Sequence, residues 1–216
     1  MGELISLDEH RRGAPLAGAV SGSGRFARVS FFFDLGRPGT YLAAERVERL
    51  FDGVRWVPAS AGALATAGDA DAVATAEARA AALGMPLVWP EPFPGDVRPA
   101  MRAAALACEL GRGGPFVLAA GRLAFCGGFE LADPEVLAEA AAAAGLPLDA
   151  CLAAAGDPSR DAAVEAEGRR LVDHGVGELP ALRVGRVLFG GEARLPEALA
   201  AVAAGAPGGA RHPATA

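Results

Sequence analysis

Apolar positions along the chain change their spacing several times, and the changes mark out its elements. Phe31-Phe32-Phe33 closes a run of β-branched and aromatic residues over 26–33, which predicts a buried strand. Leu35-Gly36 interrupts it. Pro38 then stands where the first turn of a helix tolerates a missing N–H. Tyr41, Ala44, Val47, Leu50 and Phe51 recur at three- and four-residue steps, so a helix over 38–52 with one buried face is expected, ended by Gly53. A second strand is expected over 54–59. Two strands joined by one such helix predict parallel pairing through a right-handed crossover.

Helical spacing then dominates, with segments expected over 70–83, 98–110, 115–125, 133–144, 148–155 and 159–174. Asp133-Pro134-Glu135 is a helix start, with a capping carboxylate, Pro at the first position and an acid in the first turn. Pro90, Pro92 and Pro94 make 86–99 a surface loop. Strands return over 181–184 and 187–189, flanking Gly185-Arg186, a two-residue turn of the II′ kind. A final helix covers 195–204. Ser21-Gly22-Ser23-Gly24 has linker composition. The expected organisation is a disordered tail over 1–25, an α/β domain built from 26–62 and 161–205, a helical insertion domain over 63–160, and a second tail over 206–216. This order matches a thioredoxin-like fold with an all-helical domain inserted after the first β-α-β unit. An unrelated α/β domain with an insertion has the same order.

Composition narrows the function classes. The chain has 216 residues, 52% hydrophobic and 21% charged, enough for a sizeable core. All 20 of its Lys+Arg residues are Arg. The abundance of Ala and Gly empties short glycine motifs of meaning, and Gly111, Gly113, Gly114 and Gly121 carry no nucleotide-binding signal. A net charge of −6 without a basic stripe argues against nucleic acid and anionic membrane surfaces. No apolar run reaches membrane-spanning length, and no signal-peptide core precedes 26. Cys108, Cys126 and Cys151 form neither a Cys-x-x-Cys pair nor a zinc pattern with His10, His174 and His212. Free thiols, a cytoplasmic location and no metal site are expected.

Several segments, in order, resemble the 2-hydroxychromene-2-carboxylate isomerases and kappa-class glutathione transferases of the DsbA-like thioredoxin group. Phe33-Asp34, Pro38 and Tyr41-Leu42 are similar to that family's strand–helix junction. Pro58 with Gly62-Ala63-Leu64, Phe93-Pro94 with Arg102-Ala103, and Asp133-Pro134-Glu135-Val136-Leu137 with Ala144-Gly145-Leu146 fall in step. So do Gly175-Val176-Gly177-Glu178-Leu179-Pro180 and Leu188-Phe189-Gly190-Gly191-Glu192-Ala193-Arg194-Leu195. The resemblance implies glutathione or another low-molecular-weight thiol as cofactor and a small unsaturated or aromatic carboxylate as substrate. It also implies a homodimer. The thiol would lie at the start of the first helix, with the main chain at Leu179-Pro180, exposed by a cis bond, pairing with its peptide part.

Three positions depart from that pattern. Arg37 stands where the family has a catalytic Ser, Asp69 where it has an Asn that helps hold glutathione, and Ala193 where it has an Asp expected to bind the glutamyl amine, with Glu192 beside it as a shifted carboxylate. A guanidinium at a helix N-terminus suits an anion lying between the two positive ends. Arg37 is therefore a candidate for binding a thiolate or substrate carboxylate; solvation, or pairing with Asp34 or Glu192, is the other reading. Asp34 at a strand end suits bonding to nearby backbone N–H groups. Tyr41, the chain's one tyrosine, fits core packing better than proton transfer. Trp56 and Trp89 are candidates for lining a cleft between the domains, with core packing the simpler reading for Trp56. An isomerase or transferase leads the function readings. A family member without turnover that binds an anionic ligand or protein partner comes next, and a thiol–disulfide oxidoreductase, lacking the cysteine pair, last.

Overall fold

The computed structural model describes residues 29–63 and 69–205. The two expected tails and the 64–68 connection lie outside these residues. Phe31, Phe32 and Phe33 form most of the first strand, β1 (Val29–Phe33). Alternation sends Phe31 and Phe33 to one face and Phe32 to the other, and all three are buried. Burying a ring of this size is worth about 1.5–3 kcal/mol, so a strand covered on both faces is a strong anchor. The helix α1 (Pro38–Leu50) follows, with Pro38 in its first turn. Gly53, at φ +66°, turns the chain into β2 (Arg55–Pro58).

β2 pairs parallel with β1, matching Phe31 with Trp56. β3 (Ala181–Val184) and β4 (Val187–Gly190) form the expected hairpin, and β3 lies antiparallel to β1. The turn has φ +60° at Gly185 and a negative φ at Arg186, as a II′ turn requires. The sheet order is β2-β1-β3-β4. The last helix is α8 (Leu195–Gly205).

Between β2 and β3 run α2 (Asp69–Leu83), α3 (Arg98–Glu109), α4 (Gly113–Phe125), α5 (Pro134–Ala144), α6 (Leu148–Ala155) and α7 (Asp161–Asp173). Asp133 caps α5 as expected, accepting a hydrogen bond from the Glu135 N–H at 2.8 Å. α4 begins earlier than its apolar pattern suggests, at Gly113-Gly114. A Cβ on Gly113 would lie 2.7 Å from Cys108 Sγ, and one on Gly114 2.9 Å from the Trp56 indole nitrogen. The pair lets the helix start flat against Trp56, where larger residues would not fit.

One core joins Phe31 and Phe33 to α1, α3, α4, α5 and α8. A smaller one on the opposite face joins Phe32, Val57 and Leu179 to Leu171 of α7. Arg102 of α3 ties the helical segment to α7 through two 2.6 Å hydrogen bonds to Asp161. Among the described residues no helix is long and apolar enough to cross a membrane.

Candidate functional site

The β1–α1 junction is held by Asp34. One carboxylate oxygen accepts from the Gly36 N–H at 2.9 Å, the other from the Ala61 N–H at 2.8 Å. The Asp34 N–H donates to the Thr40 hydroxyl at 3.3 Å. These bonds fix the turn, so Asp34 has the structural role its position at a strand end suggests. Both of its carboxylate oxygens are engaged by backbone.

Arg37 is the N-cap of α1 and is partly exposed. Its backbone accepts from the Thr40 N–H at 2.9 Å, and its guanidinium makes no ion pair among the described residues. Neither carboxylate considered as its partner pairs with it. Pro38 brings no N–H, and the Gly39 N–H has no hydrogen-bond partner among the described residues. The helix start thus presents one unsatisfied donor, a guanidinium and the positive end of a helix dipole.

The segment before β3 lies directly on this first turn. The Leu179–Pro180 bond is cis, as expected. A Cβ on Gly39 would be 3.2 Å from Pro180 Cδ and 3.8 Å from the Leu179 carbonyl oxygen. Leu179 makes no main-chain hydrogen bond among the described residues, while the Pro180 carbonyl accepts from the Gly191 N–H at 2.8 Å. That bond brings Glu192 to the same place, with its Cβ 3.8 Å from the Gly39 position. The structure therefore gathers Arg37, Leu179, Pro180 and Glu192 around the start of α1. Asp69 opens α2, and its side chain lies outside the described structure.

Glu192 is 5% exposed, and both of its oxygens are occupied. Oε1 accepts from Arg46 and, at 3.1 Å, from Arg79; Oε2 accepts from Arg79 Nε at 2.6 Å. Arg46 comes from α1 and Arg79 from α2, and neither drew notice in the sequence. Their signal could not be periodic, because each meets Glu192 across more than half the chain.

The helical segment roofs the junction. The Leu35 N–H donates to Met101 Sδ at 3.3 Å, and a Cβ on Gly36 would meet Val97 at 3.2 Å. Beneath this roof, against Phe93 and Phe125, is a cavity of about 20 Å³, room for one water. A larger cavity of about 720 Å³ lies elsewhere, along β2, between Trp56, Cys108, Glu48 and Glu109. Trp56 packs edge-on against Phe31 with centroids 4.9 Å apart, so it is both core and wall of that cavity. Trp89 bonds Glu77 and packs 4.6 Å from Phe93.

None of the three cysteines lies in α1. Burial, with Glu109 nearby, pushes the Cys108 thiol up to about 12, and burial also raises that of Cys151. Cys126 donates to Tyr41 Oη at 3.0 Å, and Tyr41 donates to the Pro86 carbonyl at 3.0 Å. Tyr41 is 3% exposed, and its phenol is held well above its ordinary range by burial first and Cys126 second. All three cysteines are free.

No protein-family model matches the chain, and no curated protein does. Solved structures do. 2-Hydroxychromene-2-carboxylate isomerase aligns at TM-score 0.69 and 16% identity, covering 82% of this chain and 94% of that one. A probable DsbA oxidoreductase from Streptomyces coelicolor aligns at 0.61 and 23%, covering 88% and 93%. The cytosolic disulfide reductase DsbM from Pseudomonas aeruginosa, solved with GSH, aligns at 0.55 and 16%, covering 82% and 96%. At these identities the likeness is one of fold, and it extends over the helical segment as well as the sheet. The chain has the DsbA-like thioredoxin fold, with 2-hydroxychromene-2-carboxylate isomerase and DsbA-type oxidoreductases among the structures that share it.

Proposed function

We propose that the protein binds a small anionic thiol, glutathione or another, at the start of α1 and uses it to isomerise or modify an unsaturated or aromatic carboxylate. The observation that carries this reading is the contact between the Leu179–Pro180 main chain and the first turn of α1. It sets a backbone segment and an N–H that are both unpaired among the described residues beside a guanidinium. An extended thiol compound needs such a combination: main-chain partners along its length and positive charge at its sulfur. The donor set fits a thiolate or carboxylate. It does not fit an ammonium at Glu192, whose oxygens are engaged.

A bound thiol would supply a nucleophile for addition to a conjugated acid. The chain's own residues do the rest. The Gly39 N–H and the dipole of α1 favour negative charge at that point. Arg37 is placed to hold a carboxylate bidentately. Asp34 keeps the junction rigid, and Val97 and Met101 pack against its rear. The three free cysteines suit a reducing compartment, which supports a cytoplasmic site of action.

A second reading is binding without turnover. It draws on the cavity of about 20 Å³, too small for an aromatic acid, and on the missing hydroxyl at Arg37. Disulfide exchange has no cysteine at the start of α1 to support it.

The test is a thermal-shift series with glutathione, other small thiols and aromatic carboxylates, on wild type and Arg37→Ser. A ligand at about 100 times its Kd should raise Tm by about 5–10 °C in a chain of this size. The shift should largely vanish in Arg37→Ser. An equal shift in both proteins removes Arg37 from the site, and no shift with any thiol ends the thiol reading.

A further inference from the structure

The cluster around Glu192 bears on which ligand this site accepts. Glu192 is buried beside Pro180 and Gly39, and it meets two guanidiniums, one of them bidentately. Arg46 and Arg79 keep 21% and 35% of their side chains exposed, so both still face solvent at the mouth of the cluster. Glu178 is the other carboxylate close by. Its Oε2 would lie 2.7 Å from a Cβ on Gly191, and its side chain is exposed. Arg37 stands at the helix start without an ion pair among the described residues, while two guanidiniums, those of Arg46 and Arg79, meet the carboxylate of Glu192, with that of Glu178 nearby. One of those carboxylates is fully occupied and the other is screened by water. The position beside Pro180 is therefore electropositive, although a buried acid lies at its centre.

A ligand paired with the Leu179 carbonyl and reaching the start of α1 passes this cluster within one residue's length, because both flank Gly39. An ammonium there would find no free buried acceptor among the described residues and would face two guanidiniums. A carboxylate would find the N–H groups of Arg46 and Arg79 that Glu192 leaves unused, on side chains that are partly exposed.

We propose that Arg46, Arg79 and Glu192 form an anion subsite that selects a ligand bearing a carboxylate, without an ammonium, at the end lying beside Pro180. The inference rests on the thiol-binding reading above and names the ligand class for that site. Its physical content is selection by charge: the cluster costs an ammonium its solvation and returns no partner.

Two probes separate the cases. One is glutathione; the other is the same tripeptide lacking its α-amino group, so that the γ-glutamyl end keeps only its carboxylate. Calorimetric titration of the full-length protein at low salt should give the des-amino compound an affinity about tenfold higher, equal to about 1.4 kcal/mol. The preference should shrink in Arg79→Gln and in Arg46→Gln and persist in Arg79→Lys, which keeps the charge. Melting curves of each variant establish that it is folded. Glutathione binding as tightly as its des-amino form overturns the anion subsite and leaves the thiol reading standing. A preference untouched by both Gln variants also overturns it. If neither compound binds, the thiol reading falls, and the subsite with it.

Discussion

Single residues at the start of α1 divide between scaffold and site. Asp34 and Tyr41 are scaffold, their polar atoms engaged: Asp34 spends its carboxylate on the backbone of Gly36 and Ala61, and Tyr41 its hydroxyl on the Pro86 carbonyl and Cys126. Arg37 and Gly39 keep theirs available among the described residues. Tyr41 offers a clean measurement, because the chain has one tyrosine. Its phenol pKa is raised, so the neutral form persists in the folded protein where an exposed phenol would ionise. Tyrosinate absorbance should be missing from the native protein at about pH 11 and should appear, with an ordinary midpoint near 10, once urea unfolds it. Ionisation of the native protein near 10 would show that the bond to Pro86 and the burial are not maintained in solution. The sign for stability follows. A phenol whose folded pKa exceeds its unfolded value leaves stability unchanged below pH ~10, and it destabilises the fold increasingly as pH rises above that, until the folded group ionises as well.

At the scale of elements, close approaches decide what the glycines do. In α7, a Cβ on Gly168 would sit 2.1 Å from the Ser60 carbonyl oxygen, where the helix presses on the chain after β2. In α4, a Cβ on Gly121 would find its nearest neighbour, Tyr41 Cβ, at 3.5 Å, an ordinary contact. Both are helix-interior glycines, so propensity alone gives each alanine about the same gain. Gly121→Ala should therefore stabilise by about 0.5–1 kcal/mol. Gly168→Ala should destabilise by about 1–3 kcal/mol, because backbone cannot move aside as a side chain can. Urea midpoints for the two variants should move in opposite directions, and a shift in the same direction would contradict the packing described. The same contrast shows what the sequence made legible. Strand and helix positions followed from apolar spacing, and Pro38, Gly185 and Asp133 marked boundaries by their own backbone chemistry. The start of α4 at Gly113-Gly114 did not show, because a glycine pair reads as a break unless its neighbour Trp56 is known. The family resemblance points to Arg37 and Leu179-Pro180 as a candidate site, and the structure brings these residues together at the start of α1. The Arg46–Glu192–Arg79 cluster was not legible, since it joins three elements that no local pattern relates.

At the scale of the whole molecule, the pair Arg102–Asp161 links the helical segment to α7, beside the core that joins β1 to α1, α3, α4, α5 and α8. Two 2.6 Å bonds join α3 to the start of α7, and Arg102 also donates to the Ala155 carbonyl at 3.1 Å. The hydrogen bonds from Arg102 hold the Asp161 carboxyl below its usual range. A depressed folded pKa contributes stability above the unfolded value, near 4, and that stability is lost as pH falls through the folded pKa. Wild type should exceed Asp161→Asn by about 1–2 kcal/mol at neutral pH, and the gap should close below about pH 4. A gap independent of pH would assign the effect to shape and not to charge. The position of the helical segment in the chain has a further consequence, for synthesis. β1 is the second strand of the finished sheet, bounded by β2 on one edge and β3 on the other. Val29 pairs with Val184, so nearly the whole described chain separates the two. A ribosome releases β1, α1 and β2 early, and then every helix of the insertion, before β3 can emerge. Until then an aromatic strand keeps one hydrogen-bonding edge open. Closing so long a loop costs little extra at equilibrium, about 0.6 kcal/mol for each doubling of its length, but it makes the last pairing slow. The nascent sheet thus spends most of its translation with its most apolar strand half-paired, a period in which the helices folding beside it, or a chaperone, must shield Phe31 and Phe33 from other chains.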